Sequence, residues 1–161
     1  KMRSEIRDQR SEIRGNYCLL FNIKNEHLLK ELGLLAWGMH KYLGYNSCIA
    51  TYQNGEYPNL KFLPGLELKF IPKITGDFVK DASEWLRKDG NKIDVLHMFH
   101  SSITTQKIFP VYKKFNPLGK TYIKLDGWGT VFPHLIHART FAKGSKFYKY
   151  PANKCNSLTL F

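Results

Sequence analysis

No stretch of this 161-residue chain is apolar for the roughly 18 to 20 residues that crossing a bilayer requires. The basic opening KMRSEIRDQRSEIR also lacks the apolar segment of a signal peptide. A cytoplasmic location is therefore expected, with docking at the inner face of the membrane compatible with it. Cysteine is scarce. Cys18, Cys48 and Cys155 lie singly, without the CxxC spacing of zinc or redox sites, and read as reduced packing residues. There is no GxGxxG opening a helix after the first strand, no GxxxxGK[ST], no GxSxG elbow and no HExxH. A nicotinamide dehydrogenase, a nucleotide triphosphatase, an α/β-hydrolase and a zincin thus lose their main support.

Acidic residues are also few, 13 against 25 lysines and arginines, for a net charge of +12. Residues 1–15 carry five basic and three acidic groups, so +10 remains on the rest of the chain. That excess favours anionic partners: phosphorylated substrates, acidic lipid surfaces or nucleic acid. The lysines are scattered rather than gathered in one stripe, and no RNP, KH or zinc-finger pattern is present, which argues against nucleic acid. The first 15 residues repeat RSEIR at Arg3–Arg7 and Arg10–Arg14 with only Ile6 and Ile13 to bury. They form a separate extension, either a docking helix or an expression remnant.

What the chain has is alternation. Tyr17 to Ile23 reads as a buried strand. Leu28, Leu32, Leu35, Ala36, Met39 and Leu43 then predict one helix over 26–43, closed by Gly44. Strands follow over 47–52 and 66–71 with no long helix between them. Asp77 caps a helix closed by Gly90, and 93–99 is the next strand. A helix over 104–115 is expected to begin near Pro110 or bend there. The strand 120–125, a helix over 133–143 and a strand over 156–161 complete the order β α β β α β α β α β. A Rossmann-like, mainly parallel sheet of about six strands with helices on both faces is expected for residues 16–161. Because the chain ends within or just after a strand, it is expected to continue into a further domain.

In such a sheet, chemistry sits at the carboxyl ends of the strands. IDVLHMFHSS and KTYIKLDGW each run an apolar strand into polar residues. His97, on the face of Val95 and Phe99, reads as a packed histidine or a site residue. His100, beside Ser101 and Ser102, follows the last strand residue, where an imidazole can hydrogen-bond a ligand. Asp126 is a site residue or caps the turn at Gly127. Trp128 stacks on a ligand ring or packs as core. Trp37 and Trp85 read as packing residues. His134 and His137 share a helical face but lack a carboxylate or thiol at ligand spacing, so no metal site is assigned.

The piece LGLLAWGMHKYLGYNSCIATY resembles the opening helix and strand of retaining glycosyltransferases of the GT-B architecture, especially the large family numbered four. IDVLHMFHSS resembles that family's histidine-containing strand, and KTYIKLDGWG occupies the place of its next strand and loop. The resemblance spans residues 17–161. It implies the N-terminal, acceptor-binding half of a bacterial enzyme that moves a sugar from a nucleotide-sugar donor to a glycan or lipid-linked acceptor. The donor would sit on a C-terminal domain of the same protein, and no other cofactor would be needed. His100 and Asp126 become the catalytic candidates, with Lys24, Asn25, His97, Ser101 and Trp128 around the acceptor. The family's E-x7-E pair is absent from this sequence, and so is its glycine pair after the first strand, where Lys24 and Asn25 stand instead as donors at a helix amino end. This half alone is not expected to turn over. The rival reading is a non-catalytic flavodoxin-like or receiver-like module that binds a ligand or protein at the same strand ends.

Overall fold

Runs that are apolar on both sides become the central strands, because only a strand covered on both faces can dispense with a polar side. The computed structural model describes residues 13–99, 103–125 and 157–160. Its sheet contains β1 (Asn16–Leu20), β2 (Asn46–Thr51), β3 (Glu67–Phe70), β4 (Val95–Phe99), β5 (Lys120–Leu125) and β6 (Ser157–Leu160). All neighbours run parallel, in the order β3-β2-β1-β4-β5-β6. In β1 and β2 every residue after the first is buried, whereas β3, at the edge, is mostly exposed. This is a Rossmann-like α/β sheet, as expected. Its order differs from the 2-1-3-4-5 of flavodoxin-like and receiver-like sheets.

The helices are α1 (Asn25–Leu28), α2 (Glu31–Leu43), α3 (Phe78–Asp89) and α4 (Ile103–Phe115). On one face α3 and α4 bring Ala82, Leu86, Ile108, Phe109 and Tyr112 onto Cys18, Leu20, Ala50, Leu96, Met98 and Ile123. On the other, α1 and α2 bring Leu28, Leu32 and Ala36 onto Tyr17, Leu19, Ile49, Val95 and Phe99. A 3-10 segment, Pro58–Phe62, joins β2 to β3 in place of a long helix.

The single helix expected over 26–43 is two helices. Periodicity is blind to the break, since α1 and α2 both present their leucines to the same sheet face. The chain turns at Leu29 and Lys30, so that α1 folds against the first turn of α2 at Gly33. A Cβ on Gly33 would lie 2.0 Å from the Leu28 carbonyl oxygen. Gly44 ends α2 as expected, left-handed at φ 71°, with its amide donating to His40 O and the Tyr45 amide to Met39 O. Of the two expectations for Pro110, a start there is corrected: α4 starts at Ile103, seven residues earlier, and contains the proline. Ile108, Phe109 and Tyr112, all buried, fasten both turns around it to the sheet and offset the one missing amide.

Asp77 caps α3 by accepting from the amides of Val79 (2.9 Å) and Lys80 (3.4 Å). One turn later Asp81 is buried and gathers the loop before the helix. It accepts from Tyr52 Oη (2.6 Å), Thr75 Oγ1 (2.8 Å) and the amides of Ile74, Thr75 and Gly76. Burial pushes its carboxyl up, but these donors outweigh burial and hold it at about 2. Asp81 therefore stays charged and satisfied, joining β2, the loop and α3. The repeat in residues 1–12 and the helix expected over 133–143 lie outside the described residues.

Replacing Gly33 by Ala is expected to cost about 2 to 3 kcal/mol, because backbone rather than a flexible side chain occupies the space of the new methyl. Urea unfolding measures it; a loss below about 0.5 kcal/mol would mean that α1 is free to move off α2.

Candidate functional site

From β1 the chain crosses one face through α1 and α2 to β2 and on to β3 at the edge. It then returns to β4 on the other side of β1, and the helix after β4 packs on the opposite face. The helices following β1 and β4 thus lie on opposite faces, and in open α/β sheets such a reversal is where a ligand crevice lies, at the carboxyl ends of the two strands.

The segment leaving β1 is held from the side of β2. The Ile23 amide donates to Thr51 Oγ1 (2.9 Å), and Asn54 Nδ2 donates to Asn22 Oδ1 (2.6 Å) and to Ile23 O (2.8 Å). Lys24 is exposed at the crevice, and its amide donates to His27 Nδ1 (2.8 Å). The helix amino end expected to supply donors here is a single turn of four residues, too short for a useful dipole. Asn25 Oδ1 accepts from the Asn59 amide (2.9 Å) and its carbonyl from Asn59 Nδ2 (3.2 Å), so Asn25 fastens the 3-10 segment.

His97 lies in the middle of β4, half-buried, on the face that carries α1 and α2. Its ring stacks on Phe99 (centroids 5.3 Å, planes 20° apart) and meets Tyr17 edge-on. Tyr17 Oη and His97 Nδ1 are 2.7 Å apart. Nε2 is buried and has no hydrogen-bond partner among the described residues. Burial lowers the imidazole pKa to about 4 and pushes the Tyr17 hydroxyl well up, so the two meet as neutral groups at pH 7. Phe99 stands between His97 and the strand end, so the imidazole is a wall of the crevice floor one step below the edge.

At the edge itself stands a residue that sequence reasoning passed over. Lys124, the partner of Phe99 in the β4–β5 register, has a side chain only 12% exposed. Its ammonium pairs with Glu31 in the first turn of α2 and lies 5.3 Å from the centre of the Phe99 ring. Phe21, just past β1, meets Phe99 from the other side at 6.1 Å. A cation therefore sits at the carboxyl end of the central strands with an aromatic floor beneath it, suited to a phosphate or carboxylate bearing an apolar group. The available signal was parity: Tyr122 and Lys124 alternate along β5 onto the face of His97 and Phe99, which becomes visible only once β4 and β5 are known to be neighbours.

His100, Ser101, Ser102, Asp126, Gly127, Trp128, His134, His137 and Cys155 lie outside the described residues. Trp37 and Trp85 pack against the two cores, as expected, and Trp37 Nε1 donates to Pro64 O (3.2 Å). Among the described residues no three of His, Cys, Asp and Glu converge as metal ligands, and no helix is long and apolar enough to cross a membrane. No protein-family model, curated protein or solved structure matches the chain.

His97 makes stability depend on pH. Its folded pKa of about 4 lies below the value near 6.5 of an unfolded histidine, so on acidification the unfolded chain takes the proton first. Stability is expected to fall between about pH 6.5 and pH 4, by about 1 to 2 kcal/mol from pH 7 to pH 5. His97→Gln keeps an acceptor for Tyr17 and should remove that component. Denaturant melts of both chains at the two pH values measure it, and equal losses in both would clear His97.

Proposed function

We propose that this domain is the acceptor-binding half of a glycosyltransferase of the GT-B architecture. The observation that carries the reading is that two of the three strands whose sequences bear the resemblance, β4 and β5, are parallel neighbours whose carboxyl ends lead in sequence to His100 and Asp126, with the third, β2, on the far side of β1. Lys124 adds a cation at those carboxyl ends. The wider charge of +12 suits an acceptor that is phosphorylated or held in an acidic leaflet.

In this reading the crevice binds and orients the acceptor. Its phosphate or carboxylate takes Lys124 from Glu31, and an apolar portion lies on Phe99 and Phe21. His100 and Asp126 hydrogen-bond the acceptor hydroxyl that receives the sugar. His97, neutral, supports Phe99 from below. Holding the hydroxyl against the donor's anomeric carbon is the main contribution of this half, since orientation supplies much of the rate of a two-substrate transfer. The nucleotide-sugar and the charge of its departing phosphate belong to the C-terminal domain.

The test is sugar transfer by the protein carrying this domain together with its donor domain, using labelled nucleotide-sugars with free and lipid-linked glycan acceptors. Transfer is expected, and His100→Ala and Lys124→Ala are each expected to lower kcat/KM about tenfold or more with the fold intact. Lys124→Ala should act mainly through the KM of an anionic acceptor. Absence of transfer with every donor and acceptor pair would overturn the reading. Unchanged rates in the variants would remove those two residues from it.

A further inference from the structure

The far end of the sheet holds a second chemical feature, independent of the glycosyltransferase reading. Cys18 in β1 and Cys48 in β2 are thirty positions apart in sequence but partners in the parallel register, and their side chains lie on the same face in the same core. Both are free thiols. The two side chains are neighbours across the β1–β2 register, and each shifts the other's ionisation. Neighbouring strands stand about 4.8 Å apart, inside the Cα separation of about 4.4 to 6.8 Å that a disulfide spans.

The two thiols are not sealed in. Both line a cavity of about 300 Å³ at the amino ends of the strands, together with Lys69, Glu67 and the Lys92–Asp89 ion pair. The environments of the two sulfurs differ. Cys48, 7% exposed, has its thiol pKa lowered by the hydrogen bond from Cys18, with Lys69 helping against burial. Cys18, 1% exposed, is raised by donating that hydrogen bond and by burial. Cys48 is thus the more easily ionised of the two thiols, and Cys18 the less.

We propose that Cys18 and Cys48 form a redox-active dithiol that a hydroperoxide, entering through this cavity, converts to a cross-strand disulfide. The Cys48 thiolate attacks one peroxide oxygen: the S–O bond forms, the O–O bond breaks, sulfur loses two electrons and the peroxide gains them. The departing hydroxide or alkoxide takes a proton from solvent. Cys18 then attacks the sulfenic sulfur, the S–S bond forms as the S–O bond breaks, and the proton of Cys18 leaves with the hydroxyl as water. The resulting bridge ties β1 to β2 at the end opposite the crevice.

The test exposes the full chain bearing Cys155→Ser to equimolar hydrogen peroxide, followed by intact mass measurement and non-reducing peptide mapping. Expected are the loss of two hydrogens, a Cys18–Cys48 linked peptide and reversal by dithiothreitol. Cys18→Ser should instead leave a sulfenic acid on Cys48 that dimedone tags, and Cys48→Ser should yield neither product. Differential alkylation of the unsubstituted chain before and after peroxide gives the same readout without relying on any variant. Thiols that still alkylate after an exposure that oxidises free cysteine would overturn the proposal. So would first oxidation at Cys18, or a bridge made through Cys155.

Discussion

The structure depends on burying β1 on both faces. A central strand without a polar side needs a helical layer above and below, and one chain can supply both only by sending successive connections to opposite sides. β1 is laid first, β2 and β3 extend the sheet one way, and the return to β4 extends it the other. The reversal between β1 and β4 is therefore a consequence of covering the core. The crevice that opens there is a consequence of the reversal.

The groups around that crevice are held by bonds whose first purpose is structural. Thr51, Asn54 and Tyr57 satisfy the backbone of Ile23 as it leaves the sheet, and Asn25 fastens the Asn59 segment. Buried donors and acceptors left unpaired would be costly, so each of these contacts both satisfies a group and fixes the path of a loop. On the other face Asp81 does the same for the loop before α3. Among the described residues, two features stand apart from this scaffolding: Lys124 at the carboxyl edge, paired with a half-exposed glutamate, and the thiol pair beside the cavity at the amino ends.

Local signals in the sequence were read well. The strand over 120–125, the Asp77 cap and the Gly44 stop are set by neighbouring residues, and the structure reproduces them. The layered parallel sheet followed from alternation alone. What could not be read depends on who neighbours whom. The break before α2 preserves the leucine periodicity, so only the contact of Gly33 with Leu28 reveals it. The cysteines looked solitary because the register that pairs them is a property of the sheet. Lys124 and Glu31 are brought together by the sheet for the same reason, and Pro110 is tolerated because of core contacts made by residues around it.

The most direct test of the claim that the crevice between β1 and β4 is the ligand site is amide chemical-shift mapping of the labelled chain. The probe is a soluble short-chain isoprenyl phosphate carrying a sugar. Shifts concentrated in residues 21–25, 97–99 and 122–124, and lost on Lys124→Ala, are the expected result. Shifts confined to the β3 edge or to the cavity beside Cys18 and Cys48 would contradict it.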